Sequence, residues 1–278
     1  MVRTVTALAA LSRPPLIPRL PMTSTSQEQF APVSPAPALT RSWRQSWDEV
    51  MAGCLPGLGG FEEALIAATE TVRGGAPTRV LDLGGGPGVM AERLAARWPG
   101  ADVRLLDLDP VLLLLAETAA PAGVTVHRAD LASPHWPAAV VGAGPVDLVT
   151  IVMTMHYLPE ERAGELYRQV RAILRPGGLM VVADLMPDGD LPSLAGSSRP
   201  VADEAAAGLA WTRWWEEIER EPALVPWLRQ REALFADRAP AEFTPAETWH
   251  RHAARAAGFR EAGVVWRSGA HAALCAIA

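Results

Sequence analysis

Acidic and glycine residues cluster where short apolar segments of the sequence end. Residues 79–88 read Arg-Val-Leu-Asp-Leu-Gly-Gly-Gly-Pro-Gly, so an apolar run carries Asp82 directly into a glycine cluster. Glycine permits a sharp turn and lets a ligand approach the backbone closely. Asp107 and Asp130 follow the next two apolar runs in a similar way. This arrangement predicts a small molecule bound against bare backbone and carboxylate groups.

The spacing of the glycines narrows the choice of ligand. A dinucleotide-binding turn reads G-x-G-x-x-G and sets a pyrophosphate at a helix N-terminus, but Val89 stands where its third glycine would be. The chain reads D-x-G-x-G-x-G instead, over Asp82, Gly84, Gly86 and Gly88. A carboxylate just before the loop favours a ligand with an ammonium group there over a pyrophosphate. S-adenosylmethionine is such a ligand.

Short apolar runs alternate with amphipathic ones through the middle of the chain, which predicts the elements that position these residues. Strands are predicted at 79–83, 103–106, 124–127, 146–152 and 179–183, and helices at 89–98, 110–119 and 160–174. This rhythm is typical of an α/β fold, a doubly wound parallel sheet with helices on both faces. Two final apolar runs joined by Ser268-Gly269 predict an antiparallel hairpin. We therefore expect a Rossmann-like seven-stranded sheet, with five parallel strands followed by the terminal hairpin.

The order of these motifs resembles that of the class I S-adenosylmethionine-dependent methyltransferases that act on small molecules. Beyond the glycine loop, the resemblance rests on residues 147–159, which resemble the family's fourth-strand motif, and on residues 174–178 before the fifth strand. It implies S-adenosylmethionine as the methyl donor and S-adenosylhomocysteine as the product. It also implies a set of donor-binding residues, namely Asp82, Gly84, Gly85, Gly86, Gly88, Asp107, Leu108, Asp130, Leu131 and Met153.

The resemblance further implies a role for each part of that set. Asp82 and the glycine loop would hold the methionyl part of the donor, and Asp107 would accept both ribose hydroxyls. Asp130, with the backbone of Leu131, would hold the adenine. For Asp107 the alternative is a cap on the helix that begins at Pro110, although Asp109 is the better capping candidate because it directly precedes that proline.

The chain divides into five predicted segments: a disordered N-terminal segment (1–40), a helical cap (41–75), a cofactor-binding core (76–184), a lid insertion on the substrate side (185–243), and a C-terminal helix with the β-hairpin (244–278). The first segment is rich in Pro, Ser and Thr and lacks periodicity. In the last segment, Thr244 and Glu247 predict a capping box at the start of the helix.

Two side chains that follow strands are candidates for catalysis. Displacement at a sulfonium has an activated leaving group, so a base is needed only where the nucleophile carries a proton. His156 follows the fourth strand and Asp184 the fifth. The alternatives are packing and cofactor contact for His156, and orientation of an arginine or capping of a loop for Asp184. His250 and His252 are expected on a solvated helix face.

Tryptophans mark the predicted acceptor side. Trp211, Trp214 and Trp215 share one helical face of the lid, and Trp43 and Trp47 lie one turn apart in the cap. Such a stripe packs into a core or lines a site for an apolar or aromatic acceptor. We interpret these five, with Tyr157 after the fourth strand, as substrate-binding residues.

Composition limits the remaining function classes. The net charge is -6, which disfavours a nucleic-acid partner. Two cysteines suggest neither a disulfide framework nor a zinc site, and no apolar run approaches the roughly 20 residues of a membrane span. We expect a cytoplasmic monomer or homodimer that binds no metal, nucleic acid or membrane and methylates oxygen or carbon of a small acceptor in natural-product-type metabolism. The alternatives are a nicotinamide-dependent oxidoreductase and a non-catalytic cofactor-binding or scaffold protein.

Overall fold

The computed structural model of the protein describes residues 37–140, 144–189, 201–238 and 241–278. It contains a seven-stranded sheet in the order β3-β2-β1-β4-β5-β7-β6. The strands are β1 (Arg79–Leu83), β2 (Asp102–Asp107), β3 (Val124–Arg128), β4 (Val146–Val152), β5 (Leu174–Leu185), β6 (Glu261–Ser268) and β7 (His271–Ile277). The first five pair in parallel, and β7 runs antiparallel to both β5 and β6. The predicted sheet is confirmed.

Eight α-helices surround the sheet in the described part of the chain. They are α1 (Pro37–Cys54), α2 (Leu58–Arg73), α3 (Val89–Arg97), α4 (Pro110–Ala119), α5 (Glu160–Ile173), α6 (Val201–Glu219), α7 (Val225–Phe235) and α8 (Glu247–Ala256). Phe61 of α2 and Leu94 of α3 are buried against one face of the sheet. Tyr167 of α5 and Ala254 of α8 are buried against the other. Coverage of both faces explains the nearly continuous apolar sequences of β1 and β4.

The helical cap begins earlier than predicted. Helix α1 starts at Pro37, and Thr40 is fully buried, so the boundary of the disordered segment at residue 40 is wrong for residues 37–40. The rest of that segment, 1–36, lies outside the described residues. The local composition is misleading here because burial against the rest of the fold, and not propensity, places these residues in a helix.

Strand β5 also begins earlier than predicted, at Leu174. Val146 pairs with Leu174 and Leu148 with Leu179, so the register shifts between the two pairs. The sequence Pro176-Gly177-Gly178 therefore forms an irregularity within β5, with Gly177 at φ 74°. Helix α5 and strand β5 therefore meet without the gap that the predicted helix at 160–174 and the predicted strand at 179–183 leave between them.

The predicted capping box at the last helix is wrong. Helix α8 begins at Glu247 after Ala246, which makes no side-chain cap hydrogen bond. The Glu247 carboxylate instead forms ion pairs with Arg251 on α8 and Arg267 on β6. The Glu247 side chain thus links α8 to the terminal hairpin.

The lid insertion contains two helices that close over the cap. A short 3₁₀ turn, Pro222–Leu224, separates α6 from α7, and residues 190–200 of the predicted insertion lie outside the described residues. Helix α6 packs on α1 at close range, because a Cβ atom added at Gly53 would lie 3.0 Å from the Cβ of Ala207. The Trp214 indole N–H also donates to the Trp43 carbonyl at 3.0 Å. Cap and lid therefore form one packed unit.

Among the described residues, no single helix is both long and apolar enough to span a membrane. Helices α1 and α2 taken together have the length and composition of a membrane span, but they are bent by 93° relative to each other. Phe61 and Leu65 of α2 are fully buried in the core.

Candidate active site

The glycine loop after β1 adopts a conformation that requires glycine. Gly84, Gly86 and Gly88 have φ angles of 68°, 55° and 85°, a region that side chains strongly disfavour. A Cβ at Gly84 would overlap the Thr154 side chain, and one at Gly85 would lie 2.6 Å from Asp82 Oδ2. The loop is therefore packed against its own strand and against the end of β4.

Asp107, at the end of β2, holds this loop in place. Its Oδ2 accepts a hydrogen bond from Gly86 N–H at 2.8 Å, and its Oδ1 accepts from Leu108 N–H and Asp109 N–H at 2.7 and 2.9 Å. Burial raises the pKa of Asp107 to about 6, against the lowering effect of these amides. One carboxylate thus orders the turns after both β1 and β2.

Asp82 presents a carboxylate oxygen without a partner. Its Oδ1 accepts from Thr150 Oγ1 at 2.7 Å, whereas Oδ2 is buried and makes no hydrogen bond among the described residues. Burial raises the pKa of Asp82 to about 6, although the Thr150 hydroxyl opposes the shift. A buried, incompletely paired carboxylate is costly by itself. Asp82 and the adjoining glycines therefore fit a ligand that carries a positive charge.

The carboxylates that follow β2 and β3 are tied to the lid. Asp109 caps α4 by accepting from Val111 N–H at 2.9 Å, as predicted, and its Oδ2 lies 2.5 Å from Arg231 Nε on α7. Asp130 accepts from Ala132 N–H and pairs with the Arg238 guanidinium just after α7. The Asp130 side chain is therefore already engaged by protein groups.

A cavity of about 1130 Å³ lies between these strand ends, the cap and the lid. It brings together most of the predicted site residues, which are Asp82, Gly84, Gly85, Gly86, Asp107, Leu108, Asp130, Leu131, Met153, His156, Tyr157, Trp47, Trp211 and Trp215. Gly88 does not line it. The Cβ position of Gly88 lies 3.3 Å from Ala116 Cβ, so Gly88 serves the close packing of α3 on α4 and not ligand contact.

Two predicted substrate residues also lie outside the cavity. Trp43 and Trp214 are buried between α1 and α6, joined by the indole hydrogen bond described above. Trp47 lies between them and the cavity, with its ring centroid 4.8 Å from Trp214 and 5.7 Å from Trp211. Trp43 and Trp214 are therefore core residues that support the lining tryptophans, so their prediction as substrate contacts is wrong.

His156 and Asp184 form a buried pair at the carboxyl end of the sheet. Asp184 Oδ1 lies 2.7 Å from His156 Nδ1, and Asp184 Oδ2 accepts from His156 N–H at 3.2 Å. Burial raises the pKa of the Asp184 carboxyl, but the His156 ring and Leu185 N–H more than offset this and hold it below its ordinary value. His156 lines the cavity and Asp184 does not. Asp184 therefore binds the ring of a cavity residue and does not itself reach the cavity, contrary to its prediction as a catalytic residue.

A second polar pair lies behind the first. The Tyr167 hydroxyl lies 2.9 Å from His250 Nδ1, and His250 is 1% exposed. Burial lowers the pKa of His250 to about 4, with the Asp184 charge opposing the shift. The expected solvated face is thus wrong for His250, because α8 turns this residue toward α5, whereas His252 is exposed.

Met153 has a strained backbone where β4 enters the site. It is the one non-glycine residue with positive φ in the described part of the chain, at 49°, and its N–H donates to Ala183 O at 2.8 Å. Such strain persists where surrounding structure fixes it, and it concentrates at functional sites. The strain and the cavity position support the prediction that Met153 belongs to the site.

Arginines are the cavity residues that sequence reasoning missed. Arg231 stacks on the Trp215 ring, 3.9 Å from its centroid, while it pairs with Asp109. Arg238 pairs with Asp130 as described above, and Arg93 pairs with Asp48 and Glu62. Their partners lie far away in sequence, so no local signal identifies them. Among the described residues, every arginine that lines the cavity is matched by a carboxylate.

The described residues contain no group of three or more His, Cys, Asp or Glu side chains placed to hold a metal ion. The sheet order, the glycine turn after β1 and the carboxylates after β1, β2 and β3 define a Rossmann-like methyltransferase fold. Residues 80–178 match the family model described as a methyltransferase domain. This part of the chain is a class I S-adenosylmethionine-dependent methyltransferase domain.

Curated relatives match part of the chain. The chain is 38% identical over 145 residues to trans-aconitate 2-methyltransferase of Methylobacterium nodulans, covering 50% of this chain and 52% of that protein. It is 33% identical over 124 residues to acetylserotonin O-methyltransferase of Mus musculus, covering 42% of this chain and 31% of that protein. The chain therefore spans about half the length, or less, of these relatives.

The fold extends beyond the region matched in sequence. Human N-acetylserotonin methyltransferase, solved with S-adenosylmethionine, superposes with a TM-score of 0.52 at 15% identity. The alignment covers 87% of this chain and 55% of the human one. At this identity the likeness shows a shared fold and no more.

Proposed function

We propose that this protein transfers a methyl group from S-adenosylmethionine to a hydroxyl oxygen of a small, neutral, apolar or aromatic acceptor. The observation that carries the proposal is the His156–Asp184 pair at the wall of the cavity. Methylation of a hydroxyl requires removal of a proton, whereas methylation of a carboxylate does not. A histidine fixed through Nδ1 by a buried carboxylate is suited to that task.

The donor site follows from the loop geometry. Asp82 would face the ammonium group of the donor, Asp107 its ribose, and the Asp130–Leu131 segment its adenine, with Gly84, Gly85, Gly86, Leu108 and Met153 forming the surrounding wall. When bound, the donor supplies a methyl group on a sulfonium that already carries a good leaving group. The fully buried strand residues beneath the loop, including Leu105, exclude water from this side.

The role of the protein's own residues in the reaction is to accept one proton, that of the acceptor's hydroxyl group. Asp184 Oδ1 accepts the Nδ1–H of His156, which leaves the Nε2 lone pair of the neutral ring to take the hydroxyl proton of the acceptor. The imidazolium that results is stabilised by the same carboxylate. General-base assistance of this type contributes about 10²- to 10⁴-fold to a rate.

The charges of the cavity support a neutral acceptor. Arg93, Arg231 and Arg238 are each paired with carboxylates, so none is left to neutralise an acidic substrate. Trp47, Trp211 and Trp215 supply flat apolar walls, and Tyr157 lies beside His156 with ring centroids 4.0 Å apart. An aromatic alcohol fits these walls better than the tricarboxylate in the name of the bacterial relative.

A two-stage experiment tests this proposal. S-adenosylhomocysteine should raise the melting temperature and NAD⁺ should not. Transfer of a radiolabelled methyl group should then occur to members of a panel of neutral phenols and not to trans-aconitate. Stabilisation by NAD⁺ alone would refute the choice of donor. Ester formation on trans-aconitate, without transfer to any phenol, would refute the choice of acceptor.

Partners and location belong to the same proposal. We infer a cytoplasmic protein, monomeric or homodimeric, that binds no nucleic acid. The net charge of -6 supports the last point, and the two cysteines, Cys54 and Cys275, which are buried thiols, support a reducing compartment. We assign residues 185–243 as a lid on the substrate side, residues 76–184 as the cofactor-binding core, and residues 244–278 as its completion.

A further inference from the structure

Arg44 on α1 contacts the glycine loop, although it lies 35 residues before the first strand in sequence. Its Nε donates to Pro87 O at 2.8 Å, and its Nη2 donates to Gly88 O at 3.1 Å. Its Nη1 donates to Ala119 O at 3.1 Å, at the C-terminal end of α4. One side chain therefore binds backbone carbonyls of the loop and of a neighbouring helix.

The Arg44 guanidinium is buried and its charge is balanced. Arg44 is 7% exposed, and Nη2 also lies 2.6 Å from the carboxylate of Glu92 on α3. Hydrogen bonds from a charged donor are stronger than neutral ones, and burying an arginine is costly unless its donors are used. Three hydrogen bonds and one ion pair thus hold the Arg44 side chain in this position.

Arg44 and Asp107 hold the loop through opposite backbone groups. Asp107 accepts from the N–H of Gly86, and Arg44 donates to the carbonyls of the next two residues. Together they fix the peptide planes across Gly86, Pro87 and Gly88. Because the donor would contact this stretch of bare backbone, the orientation of these planes determines which groups it meets.

The same helix also reaches the acceptor side. Trp47, one turn after Arg44, lines the cavity, and its ring lies 3.6 Å from the Cβ position of Gly86. One face of helix α1 therefore contacts the glycine loop through Arg44 and lines the cavity through Trp47. The matched methyltransferase domain begins at residue 80 and does not include it.

We propose that Arg44 is a positioning residue for donor binding, and that α1 is in this way a functional part of the donor site. Arg44 fixes the glycine loop through its two carbonyl contacts and does not itself touch the donor. This proposal rests on the proposed use of S-adenosylmethionine. It predicts that donor affinity depends on a residue outside the matched domain.

Three variants test it, with S-adenosylhomocysteine as the probe and calorimetry as the measurement. Arg44→Met keeps an unbranched apolar stem but is shorter, and it removes the three donor nitrogens. Arg44→Lys keeps the charge but lacks the planar fork that reaches several carbonyls at once. Arg97→Met is the matched control, because it removes another arginine of an ion pair, on α3, that contacts Glu70 and not the loop.

Arg44→Met should weaken S-adenosylhomocysteine binding roughly tenfold or more, Arg44→Lys should restore part of the loss, and Arg97→Met should bind as the wild type does. The KM for the donor should rise while the KM for the acceptor stays constant, a split that general destabilisation would not produce. A folded Arg44→Met with wild-type affinity would overturn the inference. If Arg44→Met fails to fold, wild-type affinity in Arg44→Lys would overturn it. Failure of the wild type to bind the probe would instead refute the proposed donor.

Discussion

The Nδ1 atom of His156 lies 2.7 Å from Asp184 Oδ1, and only His156 of the two lines the cavity. The pair therefore has an inner member, Asp184, and an outer member, His156, that faces the cavity. This division of roles leads to separate kinetic signatures for the two residues.

Replacing His156 should affect turnover most. His156→Ala should lower kcat about 10²- to 10⁴-fold, because the variant lacks the proposed general base. Initial rates with a phenolic acceptor measure the effect. The control is His252→Ala, which removes an exposed histidine of α8 and should leave kcat unchanged. Wild-type turnover in His156→Ala would show that proximity alone drives the reaction.

Asp184→Asn should lower kcat with little effect on either KM. The amide keeps the shape of the side chain but loses the charge that stabilises the imidazolium, and Asp184 does not reach the cavity. Calorimetry with S-adenosylhomocysteine should give an unchanged Kd for this variant. A raised acceptor KM with unchanged kcat would mean that Asp184 contributes to binding and not to proton transfer.

Asp82→Asn should stabilise the ligand-free protein while it weakens donor binding. The pKa of Asp82 is raised from 3.8 to about 6 in the folded state, so the folded state binds the proton more tightly and ionisation costs stability as the pH rises through this range. Above pH 6 the variant should gain on the order of 2–3 kcal/mol, and the gain should vanish below about pH 4. Urea unfolding across this pH range measures it. A variant that is less stable than the wild type at pH 7 would contradict the account.

Donor affinity should itself depend on pH. Asp82 and Asp107 both have a pKa raised to about 6, so lowering the pH through 6 removes the negative charge that faces the ammonium and ribose groups. The Kd for S-adenosylhomocysteine should therefore rise between pH 7 and pH 5. Calorimetry at several pH values checks this, with circular dichroism as the control for folding. A constant Kd would exclude these carboxylates from donor recognition.

Trp211 and Trp214 should respond differently to replacement by alanine. Trp214 is buried between α1 and α6, so Trp214→Ala should cost about 3–5 kcal/mol of stability. Trp211 lines the cavity, so Trp211→Ala should mainly raise the KM for the acceptor. Unfolding experiments on both variants measure the loss of stability, and steady-state kinetics measure the KM for the acceptor. The same loss of stability in both would mean that Trp211 is a core residue.

The fold, and the strand-end residues that line the cavity, could be predicted from sequence because their signals are local. Asp82 and the glycine loop lie within one short stretch of sequence. Asp107 and Asp130 follow the next two apolar runs in a similar way. The relative orientation of α1 and α6 decides which of their side chains line the cavity. The sequence does not show this orientation. Trp43 and Trp47 share a helical face, yet only Trp47 lines the cavity. Long-range partners such as Arg231 with Asp109, or Tyr167 with His250, likewise carry no local signal.

The close packing of α1 on α6 has a consequence for how acceptor preference could be altered. The proposed donor wall is made of strand ends and loop backbone, whereas the proposed acceptor wall is made of side chains on two helices that pack on each other. Trp47 and Trp211 can therefore be exchanged for other residues without disturbing the sheet. Libraries that randomise these two positions should yield altered acceptor preference at high frequency, provided that Arg44 on the same helix is kept.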